Sequence, residues 1–212
     1  MYIYKEDADN FLGGLTDRLA EEFNAVHKVL YRLLKEDDWP LVIKSHAMLE
    51  AIVTDLIIAK TNEAQLKSIV ERLPLHDNQI GKLAITKQYG LLTKGQLRFI
   101  RCASELRNEL VHRLENIDFR FEQYVASMDG NQRKAWSESL TWHSLGKEAS
   151  EAWAKAAVEN TKVAFWFSVF MLVTIVVLDS ETLKMQEELD IMAERATREL
   201  LQANEKPDAP ST

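Results

Sequence analysis

Apolar residues recur along this chain at intervals of three and four, the period of helices that each bury one face. Leu15, Leu19, Phe23, Val26, Leu30 and Leu33 mark one such stripe across residues 15–34. The polar stretch EDDWP, residues 36–40, interrupts it. Asp38 is a capping candidate there, and Pro40 sits where the start of a helix tolerates proline. A second helix is predicted from about Leu41 to Ala59. Asn62 with Gln65 resembles a capping box for a short helix that ends before Pro74. LHDN reads as a loop, and residues 79–89 as a helix stopped by Gly90. Thr93 with Gln96 is a second capping-box candidate, opening a helix to about Leu114.

Beyond that point the pattern loosens. Residues 119–146 are rich in aromatics without a clean period, which predicts an irregular insertion of loops and a short helix. A long helix is expected from Lys147. Residues 181–203 carry Met185, Leu189, Met192, Ala196 and Leu200 at heptad-like spacing, suiting a docked helix or a coiled-coil arm. Residues 204–212 read as a disordered tail. No strand pattern, internal repeat or Gly-rich phosphate loop is visible. The pattern predicts an all-α bundle over residues 1–180, closed by a long apolar helix and extended by a C-terminal helix over 181–203.

That apolar helix is VAFWFSVFMLVTIVVL, residues 163–178, bounded by Lys162 and Asp179. A bilayer core takes roughly 20 apolar residues, with about 17 as the lower edge. The run falls just short and is interrupted by Ser168 and Thr174, so the central helix of a bundle is the expectation and a membrane-associated protein the weaker alternative.

Composition narrows the class. Only 7 glycines and 4 prolines occur in 212 residues, which favours helices. The one cysteine, Cys102, lies in an apolar helical context, fitting a reducing compartment and a small buried side chain. The opening MYIYKEDADN lacks a basic n-region and an apolar h-region, so a cytoplasmic location is expected. The net charge of −7 argues against non-specific coating of nucleic acid. Between Lys82 and Arg113, however, seven basic residues meet only Glu105 and Glu109.

The helix in that basic window raises the chemical question. Lys94, Arg98, Arg101, Glu105, Asn108 and His112 form one polar stripe, and Phe99, Ala103, Leu106, Leu110 and Leu114 the apolar face. Arg107 lies at the apolar margin, where an unpaired guanidinium is costly. Glu50 sits among the inner residues Ile43, Ala47, Val53 and Ile57 of the helix over 41–59. Glu50 and Arg107 are therefore predicted partners, since a guanidinium grips a carboxylate at two points. The alternative is that both reach solvent on unrelated faces. By periodicity alone His112 is a surface histidine one turn from Asn108.

R-N-E-L-V-H, Arg107 to His112, resembles the R-x4-H motif of the HEPN superfamily of helical-bundle proteins. PLVIKSHAMLEAIVTDLI (40–57) followed by GLLTKGQLRFIRCASELRNELVH (90–112) is similar to its mannitol-repressor-like branch, over roughly residues 15–115. The resemblance implies a metal-independent ribonuclease or RNA-binding protein without cofactors. In it His112 would move protons at the 2′-hydroxyl, Arg107 would stabilise the phosphorane, and Asn108 would orient them. Imidazole titrates near neutrality and guanidinium grips phosphate, so the residue types suit these tasks. Lys94, Arg98 and Arg101 would bind RNA. A homodimer would bring two Arg/His pairs across a cleft. The resemblance equally admits a non-catalytic regulatory or protein-interaction module, with a protein partner or antitoxin, in which the same residues brace the bundle. On an ideal helix Arg107 and His112 point about 140° apart, which counts against a shared site on one chain.

Other chemistry is thinner. His46 and Glu50 stand one turn apart but lack a metal-binding pattern around them, so no metal site is expected. His76-Asp77 is a loop pair. Trp136, Trp142 and Trp153 suit packing more than base stacking. No helix-turn-helix with a basic recognition helix is evident, so direct DNA reading is not expected.

Overall fold

The computed structural model describes residues 3–204 apart from Asn78 and Leu145; the expected tail, 204–212, lies outside them beyond its first residue. The described residues form nine α-helices and two short 3-10 turns, with no strand. The expected all-α bundle is therefore observed. The helices are α1 (Lys5–Leu34), α2 (Asp38–Thr61), α3 (Lys67–Val70), α4 (Lys82–Gln88), α5 (Lys94–Val111), α6 (Phe121–Ala126), α7 (Gly130–Leu140), α8 (Lys147–Glu159) and α9 (Thr161–Asn204).

Helix α2 is the centre. Its Leu41, Val42, Leu49, Val53, Leu56 and Ile57 are buried on several sides, against α9, α5, α4 and α1. Burying such a side chain is worth roughly 1.5–3 kcal/mol, so this one helix anchors the core. Asp38 locks its start to two other elements: its carboxylate accepts the Phe121 N–H at 2.9 Å and meets Lys162 at 3.3 Å. Its end is Asn62, in the left-handed conformation (φ 51°), whose N–H donates to the Ile58 carbonyl at 2.9 Å. The reading of Asn62 as the start of a capping box is corrected here. Asparagine tolerates the left-handed region, and the chain uses it to stop α2 rather than to begin the next helix.

The predicted insertion is more regular than expected. Within 119–146 it holds α6 and α7, and Asp129 with Gln132 makes a complete capping box at the start of α7. Phe121, Trp136 and Phe165 from three elements pack together, with Trp136 stacked on Phe165 at 6.4 Å. Trp153 stacks on Phe167 at 4.7 Å. These tryptophans hold α6, α7 and α8 onto α9 rather than offering free platforms for bases.

The apolar run and the heptad-like segment, expected as separate helices, form one 44-residue helix. Neither Asp179 nor Ser180 breaks it, because both keep helical backbone without a proline or glycine nearby. The break comes instead at Asn160 (φ −135°), which separates α8 from α9. Along α9 the residues Ala164, Phe165, Ser168, Val169, Leu172, Val173 and Val176 are buried. By length and composition α9 is able to cross a membrane, and 44 % of its most apolar window is buried inside the fold.

The ends of the three longest helices show how they lie. Lys162 meets Asp38 and Asn62 donates to Glu187, so α2 runs alongside α9 in the same direction. Trp166 donates to the Leu30 carbonyl, Arg18 pairs with Glu188 and Arg195 with Asp7, so α1 runs antiparallel to α9 for most of its length. Past Glu188, Arg195 of α9 still pairs with Asp7 near the start of α1.

Candidate functional site

Helix α5 carries the motif, and its start is set locally. Thr93 Oγ1 accepts the Gln96 N–H at 3.3 Å, and Gln96 Oε1 accepts the Thr93 N–H at 2.7 Å. This is the capping box that the sequence predicted. It satisfies backbone donors that the first turn would otherwise leave open. The apolar face, Phe99, Ala103, Leu106 and Leu110, is buried as expected. Leu114 lies beyond the helix, which ends at Val111, and its side chain lies outside the described set. Lys94, Arg98, Arg101, Glu105 and His112 are exposed, and Asn108 is half-buried.

Arg107 turns toward α2. It is half-buried, and its Nη1 donates to Asn108 Oδ1 at 3.0 Å. The predicted Glu50–Arg107 pair is not formed. Glu50 Oε1 instead meets Lys82 Nζ at 3.1 Å, across from the first residue of α4. Lys82 is 1 % exposed whereas Glu50 is partly open to solvent. The docking of α4 against α2 therefore supplies a nearer and deeper cation than α5 does.

Arg107 still belongs to the same neighbourhood. His46, one turn before Glu50 on α2, is buried at 9 % exposure. Burial first, and then the Arg107 charge, push its imidazole down to about 4; His76 and Lys82 act the same way, and Glu50 opposes them. Glu50, His76, Lys82 and Arg107 thus all act electrostatically on His46, although the direct contact among them is the Glu50–Lys82 pair. Two cations face a single carboxylate there, and this excess of positive charge, added to burial, keeps the His46 imidazole neutral. Among the described residues no three His, Cys, Asp or Glu side chains gather as a metal would need. Sequence reasoning missed Lys82 and His76. The available signal for Lys82 was its place beside Leu83 and four before Thr86, the buried face of a short helix.

His112 is elsewhere. It is the residue that follows the last turn of α5 (φ −89°, ψ −4°) and it is exposed. Arg107 and His112 thus share a helix end but not an orientation, one half-buried against α2 and the other in solvent. The basic window is also less open than its sequence suggested. Lys82 is sealed inside, and Arg98 pairs with Glu138 of α7 at 3.2 Å. Arg98 and Arg101 line a cleft of about 520 Å³ together with Glu105, Glu109, Tyr124 and Trp136. Neither Arg107 nor His112 lines that cleft. Cys102 also lines it, and burial pushes the thiol up to about 11, which disfavours the reactive thiolate.

Compared with known protein-family models, with curated proteins and with solved structures, the chain shows no significant match to any of them.

Proposed function

We propose that this protein acts on RNA through the end of α5, as a cytoplasmic, metal-independent HEPN-type ribonuclease or RNA-binding protein. The observation that carries the reading is that an exposed His112 and a hydrogen-bonded Arg107–Asn108 unit occupy the same end of α5. In this reading Asn108 Oδ1 holds the guanidinium, whose other N–H groups address phosphate oxygens. His112, free in solvent, moves the proton at the 2′-hydroxyl. Lys94, Arg98 and Arg101 lie upstream on the exposed stripe and would follow the phosphate backbone. Since Arg107 and His112 of one chain diverge, a homodimer would supply the complementary pair.

A second reading is favoured by a separate observation, the orientation of Arg107 toward His46 and α2. It makes the motif a brace in a non-catalytic regulatory or protein-interaction module of the mannitol-repressor-like kind.

The test is cleavage of labelled single-stranded RNA in EDTA by the wild type and by His112→Ala and Arg107→Ala. Cleavage that persists in chelator and drops at least 100-fold in folded His112→Ala supports the enzyme. Folded proteins without cleavage, but with salt-sensitive RNA binding lost in Lys94→Ala/Arg101→Ala, support RNA binding alone. Neither cleavage nor binding leaves the regulatory module.

A further inference from the structure

The α1–α9 hairpin carries two surfaces of opposite character. The first is a groove of about 750 Å³ lined by His27, Lys28, Tyr31, Arg32, Trp166 and Phe170. Phe170 stacks on His27 at 5.2 Å, Tyr31 remains 59 % exposed, and Lys35 lies over the Tyr31 ring. No carboxylate occurs in residues 23–35 or 162–178, the two segments that flank this groove, although the chain as a whole is acidic. The groove is aromatic, unfilled and basic.

The second surface is the far arm of the same hairpin, residues 5–18 of α1 against 188–204 of α9, reaching about 25 Å past the end of α2. Among the described side chains there, only Phe11 and Ala196 are buried. Leu12, Ile191, Leu200 and Leu201 are exposed. Glu6, Asp9, Asp17, Asp190 and Glu194 are exposed as well, and carboxylates outnumber cations two to one along the arm. A two-helix arm with so thin a seam leaves apolar surface that two further helices would cover.

We propose that the hairpin is a self-association surface: a second copy lies antiparallel along it, and each acidic, leucine-bearing arm seats on the basic aromatic groove of the other. Both surfaces lie along one antiparallel helix pair, so a two-fold axis across its middle would bring each arm to the other copy's groove. The result is a four-helix layer of two α1 and two α9 helices. The charge match selects this pairing over an arm-to-arm contact, which would juxtapose carboxylates. The inference is independent of the RNA reading, since it uses no residue of α5.

Sedimentation equilibrium of the full chain at about 50 µM, with two charge-reversed variants, provides the test. The wild type is expected to be a dimer that weakens as salt rises. Lys28→Glu/Arg32→Glu and Asp190→Lys/Glu194→Lys are each expected to weaken self-association at least 10-fold, and their mixture to recover a heterodimer. All four positions are charged surface positions, and recovery in the mixture shows that both variants are folded. A monomeric wild type, or no recovery on mixing, overturns the proposal. A monomer that instead co-sediments with phosphatidylserine vesicles and loses this with Lys28→Glu/Arg32→Glu also overturns it, assigning the groove to an anionic membrane surface.

Discussion

Lys82 lies 1 % exposed with its ammonium 3.1 Å from the Glu50 carboxylate, so a cation at the start of α4 is held inside the bundle by an acid from the middle of α2. An interior charge that loses its partner is far costlier than the pair is beneficial. Glu50→Gln is therefore expected to destabilise the fold by about 2–4 kcal/mol. Arg107→Ala removes a bond to the neighbouring Asn108 and a positive charge that disfavours protonation of His46, and should cost about 1 kcal/mol or less. Urea denaturation of the two variants checks the ranking; an Arg107→Ala loss that matches or exceeds the Glu50→Gln loss would show that the α5 cation is the real partner of the core.

His46 predicts an acid limb of stability. Its folded proton affinity is depressed to about 4, from 6.5 in the unfolded chain. Between those values the unfolded state binds the proton and the folded state does not, so stability rises with pH across this window. It is fully present above about 6.5 and lost as pH falls toward 4, by on the order of 3 kcal/mol. His46→Gln should flatten this limb in a series of denaturation curves between pH 4 and 7. A slope unchanged by the substitution would mean that other groups set it.

The start of α5 is a local device and its removal should have a local magnitude. Thr93→Ala deletes the side-chain acceptor of the Gln96 N–H and is expected to cost about 1 kcal/mol. Gln96→Ala removes the reciprocal bond and should add less than its full value in the double variant, because the two bonds form one unit. Thermal unfolding of the two single variants and the double variant reads this directly.

Cys102 is expected to be inert. With its thiol pushed up to about 11 by burial, almost no thiolate exists at pH 8. Alkylation by iodoacetamide at that pH should be at least 100-fold slower in the native protein than in denaturant. Rapid native labelling would mean that the α5–α7 cleft opens in solution.

How much of this was legible beforehand varied with the range of the interaction. The Thr93–Gln96 box was readable because both of its bonds close within four residues. The Asn62–Gln65 spacing looked the same, yet Asn62 ends α2, since asparagine serves a left-handed helix end as readily as a helix start. The run 163–178 and the heptad-like segment after it looked like two elements because their polarity differs, while backbone continuity depends only on the absence of a breaker. The anomaly of a carboxylate on the inner stripe of α2 was visible. Its partner was not, because Lys82 is 32 positions away and reaches Glu50 only once α4 docks.

From its sequence alone this protein is all-α, with helices whose apolar stripes demand a shared core, a helix capped at Thr93 and running to about Leu114 that carries the Arg–Asn–His motif, and a long apolar stretch near the close. Those properties follow from periodicity and short-range hydrogen bonds, which need no knowledge of the rest of the chain. Only the tertiary structure decided that Glu50 takes Lys82, that Arg107 faces His46 while His112 faces water, and that α1 and α9 pair into a hairpin longer than the bundle. These outcomes depend on which surfaces meet, and burial, not spacing along the chain, sets the cost of every charge placed between them.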